Sequence, residues 1–343
     1  MMINLLLDRA ILPDAVVRAG IRCIVAGRLR EQEAGGPLAQ ARRFGRLLAE
    51  LRRSPVAVTP EAANAQHYEL PPAFFERVLG PQLKYSCGWW PEGVSTLAEA
   101  EERMLDATVA HAGVEDGQQI LELGCGWGSL TLYMARRFPR SRITALSNSI
   151  SQRLYIQERA RARGLNNLAV LTEDINRFET NQRFDRIVSV EMLEHVRNYD
   201  RLFGRIAAWL APGGRFFAHV FAHRQYAYTF EAQGPTDWMA RYFFTGGTMP
   251  SEHLFACVQH HLEMKEYWRY DGRHYQRTAE AWLRNLDAHR DAVASILAAT
   301  YGTREVGRWR ARWRAFLMSC AEMFGYRDGR EWGVSHYSFA RRA

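Results

Sequence analysis

The chain contains almost no lysine. Lys84 and Lys265 are its only two lysines among 343 residues, although its net charge is +8, so nearly all of its basic charge is arginine. Such a bias is typical of the nucleotide composition of a genome rather than of a surface selected to follow nucleic-acid phosphates. We therefore expect no nucleic-acid partner.

Cysteine pairs and long apolar runs are also missing. The five cysteines are odd in number and form no C-x-x-C pair, which argues against a disulfide framework and a zinc site, so we expect no metal. Asp8, Arg9 and Asp14 interrupt the apolar runs near the start, and no stretch reaches the roughly 18 apolar residues of a membrane span. These features predict a cytoplasmic protein.

The stretch from Gln119 to Leu130, QILELGCGWGSL, predicts a strand, a tight turn and the start of a helix. Gly124, Gly126 and Gly128 suit a backbone that turns sharply and lies against a ligand, where a Cβ would block the approach. Glu122, just before the first glycine, would repel a pyrophosphate and suits an ammonium group. This pattern resembles the turn with which class I methyltransferases bind S-adenosylmethionine (SAM). A turn without a ligand, or one for NAD or FAD, is the alternative.

Strands and helices alternate regularly after this turn, which predicts an α/β protein with a parallel sheet. Further strands are predicted at residues 143–146, 168–171, 186–190, 215–220 and 332–339. A capping box of Thr96 and Glu99 predicts the start of a helix before the turn. Because ligands bind such sheets at the carboxyl ends of the strands, the polar residues that follow each strand are candidate site residues.

Successive strand ends carry such residues. Ser147, Asn148 and Gln152 follow the second strand, where the acid expected to hold ribose hydroxyls is missing and hydroxyl and amide groups must replace it. Asp174 and Ile175 follow the third strand and suit an adenine amino group and ring face. The fourth strand is followed by the sequence EMLEH. Any one of these residues alone is typical of a water-facing loop, but their recurrence favours one binding site.

Additional segments surround the predicted sheet. Residues 1–80 are predicted to form an N-terminal helical cap, followed by the methyltransferase domain at 81–343. Two aromatic-rich insertions, at about 221–258 and 270–330, would lie over the strand ends and could shield an apolar acceptor, although single rings are more often core. The cap carries arginines that suit a solvated face or, alternatively, a phospholipid surface: Arg42, Arg43, Arg46, Arg52 and Arg53.

Six short motifs carry a family resemblance. They are Tyr85-Ser-Cys-Gly, Glu122-Leu-Gly-Cys-Gly-Trp-Gly, Ser147-Asn-Ser-Ile-Ser-Gln152, Phe184-Asp-Arg-Ile-Val, Leu193-Glu-His195 and His274-Tyr-x-Arg-Thr278. Together they resemble the cyclopropane-fatty-acyl-phospholipid synthase superfamily of SAM-dependent methyltransferases, and within it the plant coclaurine and pavine N-methyltransferases. The resemblance implies a class I, Rossmann-like fold with a seven-stranded, mostly parallel sheet.

The resemblance also implies a SAM site, to which Glu122 belongs by the reasoning above. Its other implied contacts are Tyr85 and Ser86 at the methionine end, Gly124 and Gly126 under the ligand, Ser147, Asn148 and Gln152 at the ribose, and Asp174 with Ile175 at the adenine. All of them except Asp174 and Ile175 stand in one of the six motifs.

A catalytic acid-base set is implied next. The N-methyltransferases carry it in a Glu-x-x-Glu-His motif, matched here by Glu191, Glu194 and His195. In the synthases the position of Glu191 is typically glycine, so this chain departs from the lipid-modifying enzymes toward the amine-methylating ones. An amine with a pKa near 10 arrives protonated, and a histidine oriented by carboxylates is a suitable base.

A second set of residues supports an alternative. Cys87, Glu194, His219 and Tyr275 match the pocket in which the synthases hold bicarbonate. Bicarbonate would remove a proton from the carbocation that an alkene acceptor forms. It is therefore a second implied ligand beside SAM.

The sequence leads to one main function and two alternatives. The main hypothesis is SAM-dependent N-methylation of a hydrophobic, aromatic or benzylisoquinoline-like small-molecule amine. The first alternative is synthase-like modification of unsaturated phospholipid acyl chains, with transient contact to a membrane surface. The second is a SAM-binding or nucleic-acid-binding protein without catalysis. A homodimer is compatible with each of them.

Overall fold

The computed structural model describes residues 12–58, 70–231, 234 and 238–342; parts of the predicted cap and of the first insertion lie outside these described residues. The helices are α1 (Asp14–Glu33), α2 (Gly36–Arg53), α3 (Pro72–Val78), α4 (Leu97–His111), α5 (Ser129–Arg137), α6 (Ile150–Ala162), α7 (Tyr199–Trp209), α8 (Trp238–Tyr242), α9 (Gly272–Ala288), α10 (Arg290–Tyr301) and α11 (Val306–Phe324). The strands are β1 (Gln119–Leu123), β2 (Arg142–Ser147), β3 (Leu168–Thr172), β4 (Phe184–Val190), β5 (Leu210–His223), β6 (Tyr228–Thr229), β7 (Thr248–Met249), β8 (Leu262–Asp271) and β9 (Trp332–Arg341).

Seven of these strands form one sheet in the order β3-β2-β1-β4-β5-β9-β8, and β6 pairs with β7 separately. Strand β9 runs antiparallel to both of its neighbours, whereas the other six strands run parallel to one another. The predicted seven-stranded, mostly parallel sheet is therefore confirmed. The strand order reverses between β1 and β4, and a crevice for a ligand opens at the carboxyl ends of such strands.

Strand β8 was not among the strands that the sequence pattern identified. It forms the edge of the sheet, so β9 lies inside the sheet and does not close it. Charged, exposed residues such as Glu263, Lys265 and Glu266 interrupt its apolar pattern. This composition is typical of an edge strand, because its outer side faces water and charges there discourage pairing with other chains.

The central strands form where short apolar runs can be buried on both faces. Ile120, Leu121 and Leu123 of β1 are fully buried, and each such side chain contributes about 1.5–3 kcal/mol relative to an exposed one. The predicted capping box at the start of α4 is confirmed: Thr96 accepts from the backbone of Glu99, and Glu99 accepts from the backbone of Thr96.

The N-terminal helices pack on the sheet domain at two places. Helix α1 contacts α11, and α2 contacts α7. Arg18 of α1 donates to Glu280 of α9 at 2.5 Å and to Glu322 of α11 at 2.9 Å. These partly buried ion pairs fix the cap to the helices of the second insertion. The boundary at residue 80 stays a prediction.

The sequence predicts one apolar stripe along α1, formed by Val16, Val17, Ile21, Ile24 and Val25, and this prediction is partly wrong. Val17 and Val25 are buried as expected, but Val16 and Ile24 are each 51% exposed. The buried stripe follows a spacing of four residues and continues to Leu29. A helix that packs mainly on one other helix buries a narrower face than a core helix does.

No helix in the described part of the chain is both long and apolar enough to cross a bilayer.

Candidate active site

The glycine turn joins β1 to α5 and shapes the floor of a cavity. Gly124, Gly126 and Gly128 all have positive φ angles, of 78°, 52° and 82°. A Cβ at Gly124 would lie 2.6 Å from Cγ of Met192, whereas a Cβ at Gly126 would meet no heavy atom of the described residues within 4 Å. Gly124 is thus required by packing, and Gly126 leaves open space above the turn.

A cavity opens at the carboxyl ends of the central strands. Every residue predicted to bind the cofactor lines it, together with Glu191 and His195. The lining members of the predicted set are Tyr85, Ser86, Glu122, Gly124, Gly126, Ser147, Asn148, Gln152, Asp174, Ile175, Glu191 and His195. The four remaining candidates, Cys87, Glu194, His219 and Tyr275, lie behind this wall.

Hydroxyl and amide groups line the β2 side of the cavity. Ser147 donates to Oε1 of Gln152 at 2.6 Å, and its own Oγ accepts from the backbone N–H of Ser149 at 3.0 Å. Nε2 of Gln152 is buried and has no hydrogen-bond partner among the described residues. Because a buried amide donor is rarely left unpaired, this group is suited to a ligand oxygen.

The β3 side of the cavity carries Asp174 and Ile175. The backbone and side-chain amides of Asn176 both donate to Oδ1 of Asp174, at 2.9 and 3.1 Å. The carbonyl of Ile175 accepts from Arg205 at 2.6 Å. These bonds hold the two residues at the cavity edge, where a carboxylate and an apolar face are available to a flat ring.

A buried carboxylate and a buried amine lie at the opposite end. Glu122 is 2% exposed and accepts from Thr131 at 2.5 Å. Burial raises the pKa of Glu122 to about 8, so its carboxyl group is largely protonated at neutral pH in the free protein. Lys84 is also 2% exposed and contacts Oγ of Ser86. Burial lowers the pKa of Lys84, an effect that Glu191 opposes.

Sequence reasoning did not select Lys84. It stands directly before the Tyr85-Ser-Cys motif and lines the same cavity as Glu122 and Glu191. Its only signal was its rarity, because it is one of two lysines in an arginine-rich chain.

Glu191 lies at the centre of a set of hydrogen bonds. Tyr275 donates to its Oε2 at 2.6 Å, and the backbone N–H of Cys87 donates to its Oε1 at 3.1 Å. Nε2 of His219 lies 3.2 Å from the same Oε1. The predicted bicarbonate-pocket residues Cys87, His219 and Tyr275 therefore surround the side-chain carboxylate of Glu191.

The backbone of Glu191 is held in a strained form. Its φ is 48°, in the left-handed region that non-glycine residues rarely adopt. Such a conformation costs on the order of 1–3 kcal/mol and persists only where the surroundings enforce it. Its N–H donates to the carbonyl of His219 at 2.8 Å. Burial raises the pKa of Glu191, and the nearby Lys84 opposes this rise.

The other two predicted acid-base residues, Glu194 and His195, lie in one 3₁₀ turn after β4, but only His195 lines the cavity. His195 lines the cavity, and its ring packs against Phe244 with centroids 4.9 Å apart. Burial lowers the pKa of His195 to about 4, so its imidazole is neutral at physiological pH. Glu194 is fully buried behind the wall, where its Oε1 accepts from the N–H of Phe221 at 2.7 Å.

The Glu194 carboxyl group has an unpaired atom. Its Oε2 is buried and has no hydrogen-bond partner in the described part of the chain. Burial and the neighbouring Glu191 raise the pKa of Glu194 well above its ordinary value. These effects favour the protonated form of Glu194, which stands one layer behind Glu191.

The cysteines and acids give no further reactive centre. All five cysteines are free, and burial raises the pKa of Cys320 to about 12, which keeps it a thiol. Within the described ranges, no group of three or more His, Cys, Asp or Glu residues is arranged to hold a metal ion.

Buried polar atoms without a hydrogen-bond partner give a second reason why a cofactor of the SAM type fits this cavity. Two further polar atoms of its lining, Nε1 of Trp127 and Oγ of Ser129, are buried without a hydrogen-bond partner among the described residues. Trp127 lies within the glycine turn, and Ser129 follows the turn at the N-terminus of α5. Such donors suit a polar ligand lying on the turn.

Comparisons with known proteins agree with this geometry. The family model for mycolic acid cyclopropane synthetase matches residues 57–330. The (S)-coclaurine N-methyltransferase of Thalictrum flavum subsp. glaucum is 35% identical over 340 residues, which cover 98% of this chain and 94% of that protein. The cyclopropane-fatty-acyl-phospholipid synthase of Escherichia coli K12 is 30% identical over 271 residues, which cover 78% of this chain and 66% of that protein.

Solved structures give the same result. A coclaurine N-methyltransferase bound to N-methylheliamine and SAH matches with a TM-score of 0.95 and 35% identity, covering 98% of both chains. The cyclopropane synthase MmaA2 from Mycobacterium tuberculosis matches with a TM-score of 0.67 and 23% identity, covering 84% of this chain and all of that one, which supports the fold alone.

The strand order, the glycine turn and these relatives define a class I SAM-dependent methyltransferase. Within that class, the chain belongs to the mycolic acid cyclopropane synthetase family.

Proposed function

We propose that this enzyme transfers the methyl group of SAM to the nitrogen of a hydrophobic, aromatic amine of the benzylisoquinoline type. One observation carries the proposal: the carboxylate of Glu191 lies among Cys87, His219 and Tyr275. A proton acceptor is thereby built into the chain beside the cavity. The names of the relatives support an amine acceptor, because they are N-methyltransferases of coclaurine, pavine and tetrahydroprotoberberine.

Methyl transfer to an amine sets two requirements for the protein. The sulfonium of SAM supplies the methyl group in an in-line displacement, for which the enzyme mainly provides proximity and a dry site. The acceptor amine must first lose a proton, because an ammonium ion has no lone pair to attack with. Glu191 attracts the ammonium ion electrostatically and takes its proton, in place of the histidine base expected from the sequence. Burial lowers the pKa of His195 to about 4, so its imidazole is a weak base and instead orients the amine. Glu194 supports Glu191 from behind.

The apolar side of the acceptor fits the first insertion. Phe244 packs on His195, and Phe221 and Phe230 pack on Phe244 with centroids 5.7 and 5.0 Å apart. The two residues that follow Phe244, Thr245 and Gly246, line the cavity. An aromatic acceptor would therefore lie with its nitrogen toward Glu191 and His195 and its ring toward this insertion.

The SAM contacts belong to the same proposal. Glu122 would bind the ammonium group of the methionine moiety, with Lys84, Tyr85 and Ser86 near its carboxylate end. The unpaired amide of Gln152 supports a ribose site formed with Ser147 and Asn148. The remaining predicted contacts are Asp174 and Ile175 at the adenine, and Gly124 and Gly126 beneath the ligand.

We expect SAM binding to release a proton from Glu122. Its pKa is about 8 in the free protein because of burial, so the group is mostly protonated at pH 7. An ammonium group beside it would stabilise the carboxylate and lower this pKa, so binding should release up to about one proton and tighten as the pH rises toward 8. Calorimetry in buffers of different ionisation enthalpy measures this release. Glu122→Gln should bind without it, and equal release by that variant would contradict the assignment.

The lipid-modifying alternative needs a different base. Bicarbonate would have to enter the group of Cys87, Glu194, His219 and Tyr275, and in the synthases the position of Glu191 is typically glycine. Here the Glu191 carboxylate already accepts the bonds that a bicarbonate ion would accept. Two carboxylate-like anions in one buried site would repel each other strongly. We therefore propose neither bicarbonate nor an acyl chain as a ligand of this enzyme.

Methyl transfer from labelled SAM tests the proposal. Purified enzyme would be given a panel of tetrahydroisoquinoline and benzylisoquinoline amines and, separately, vesicles of unsaturated phospholipid. We expect label in the amines and none in the lipid. Isochroman analogues, with oxygen in place of nitrogen, serve as matched controls and should stay unlabelled. Label confined to the acyl chains would refute the proposal.

A further inference from the structure

A row of histidines extends from Glu191 away from the cavity. Nε2 of His219 contacts Oε1 of Glu191 at 3.2 Å, and Nδ1 of His219 lies 2.8 Å from Nε2 of His336. Nδ1 of His336 in turn lies 2.9 Å from Nδ1 of His111. Three consecutive hydrogen bonds therefore join the carboxylate to an imidazole at the end of α4.

The sheet register creates this row. His219 of β5 and His336 of β9 are direct cross-strand partners, and Trp268 of β8 is the next partner of His336. Partners in adjacent strands point to the same face of a sheet, so the three side chains lie side by side. His111 stacks on Trp268 with centroids 3.9 Å apart and an interplanar angle of 6°.

The inner part of the row is closed to solvent, and its outer end is not. His219 and His336 are fully buried, and the rings of Phe217 and Tyr270 each pack 4.9 Å from His336. His111 is half-buried. His219 and His336 each have both ring nitrogens in hydrogen-bond contact, and a neutral imidazole can donate from one nitrogen while it accepts at the other, which is the property that a proton-conducting group needs.

We propose that His219, His336 and His111 form a relay that carries the proton taken up by Glu191 from the acceptor amine to solvent. This inference rests on the proposed function. When a secondary ammonium substrate is methylated to a protonated tertiary amine, one proton per turnover must leave a site that is enclosed by the protein and its two ligands. The relay supplies an exit that does not pass through the cavity.

The transfer is balanced and leaves none of the three imidazoles charged once it is complete. The N–H bond of the substrate breaks, its electron pair stays on nitrogen, and an O–H bond forms at Glu191. Glu191 Oε1 then donates to His219 Nε2, His219 Nδ1 to His336 Nε2, His336 Nδ1 to His111 Nδ1, and His111 Nε2 to water. Each of these steps breaks one bond to hydrogen and forms one. Glu191 becomes a carboxylate again, and each neutral imidazole ends with its hydrogen on the nitrogen nearer Glu191, so that His219 donates to the carboxylate at rest. The rings must turn back to their starting tautomers before the next proton passes.

The charges around the row favour outward movement. Burial is the largest cause that lowers the pKa of His219 and of His336. The neighbouring His219 and His111 lower that of His336 further, and Lys84, near the inner end, lowers both. Glu266, on the exposed edge strand, raises the pKa of His111 against the effect of burial. A carboxylate beside the outer end of the row therefore favours the movement of a proton from Glu191 toward His111.

Single-turnover kinetics with a pH-indicator dye tests the relay. Wild-type enzyme, first saturated with SAM and then mixed with a tetrahydroisoquinoline amine, should release one proton per methyl group no later than the labelled product forms. His111→Gln and His336→Gln keep a polar side chain that cannot exchange protons in this way. In both variants we expect proton release to lag product formation at least tenfold. His111 is only half-buried at the outer end of the row, so His111→Gln should fold even if His336→Gln does not. The relay can then still be tested with His111→Gln.

Two controls separate the relay from a structural role. His260→Gln alters an exposed histidine that contacts Asp200 outside the row, and its proton release should match wild type. Free imidazole added to His111→Gln should restore prompt release, which a purely structural histidine would not allow. Prompt release by folded His111→Gln without imidazole would overturn the relay alone. Absence of amine methylation by wild-type enzyme would overturn the proposed function and the relay with it.

Discussion

Replacing Glu191 by glycine is expected to lower kcat for amine methylation about 10³-fold, within the usual range for loss of an acid-base group. The variant loses the carboxylate that attracts the ammonium ion and accepts its proton. Tyr275 and His219 would remain, but neither replaces a carboxylate: burial raises the pKa of Tyr275 and lowers that of His219 well away from their ordinary values. Steady-state rates with a tetrahydroisoquinoline acceptor measure the effect, and SAM affinity should change by less than about threefold.

The space left by this substitution offers a sharper test. The donors of Tyr275, Cys87 and His219 would surround an empty position that fits a small carboxylate. Formate added to Glu191→Gly should therefore restore part of the rate, whereas formate should not affect Glu191→Gln, whose side chain still fills the position. Wild-type activity should not depend on bicarbonate. A wild-type rate that falls several-fold on bicarbonate removal and recovers on its return would refute the built-in base.

Cys87→Ala provides the matched control for the same site. Cys87 contacts Glu191 through its backbone N–H, which alanine retains. Burial raises the pKa of the Cys87 thiol well above its ordinary value, so the side chain is no anion at neutral pH. We expect the kcat of Cys87→Ala to stay within about threefold of wild type. A loss as large as that of Glu191→Gly would mean that the thiol itself acts in the reaction.

Local sequence signals were sufficient to predict which residues line the cavity. The glycine turn, the apolar central strands and the polar residues after each strand are all encoded within a few residues, and parallel topology brings strand ends together. Ser147, Asp174 and Glu191 could thus be assigned to one site from the sequence alone. Strand β8 escaped this reasoning because its charged, half-exposed sequence lacks a clear period, and its pairing with β9 joins residues that are 62 to 79 positions apart.

Contacts across long sequence distances could not be derived in the same way. Tyr275 reaches Glu191 from helix α9, and Cys87 reaches it from the loop before α4, respectively 84 and 104 residues away. Only the family resemblance named these residues, and it named them as a pocket for a separate anion. That the carboxylate of Glu191 fills the pocket depends on its left-handed backbone, which no pattern in the sequence EMLEH indicates.

Replacing Gly126 by leucine is expected to weaken SAM binding about 10³-fold, or roughly 4 kcal/mol, while the fold is retained. A Cβ at Gly126 would meet no heavy atom of the described residues within 4 Å, so the free protein has room for a side chain there. That room is part of the cavity, and in the proposed site the cofactor lies across it. The leucine side chain would compete with the cofactor for the same volume.

Gly164→Leu is a matched control for the backbone cost. Gly164 has a φ of 66°, close to the 52° of Gly126, and a Cβ there would likewise meet no heavy atom of the described residues within 4 Å, but it lies just beyond α6, outside the cavity lining. Both substitutions force a leucine into the left-handed region, at about 1–2 kcal/mol. Their Tm values should fall by similar amounts, and calorimetry should find SAM affinity lost only in Gly126→Leu. Equal affinities in the two variants would mean that the cofactor does not lie on this turn.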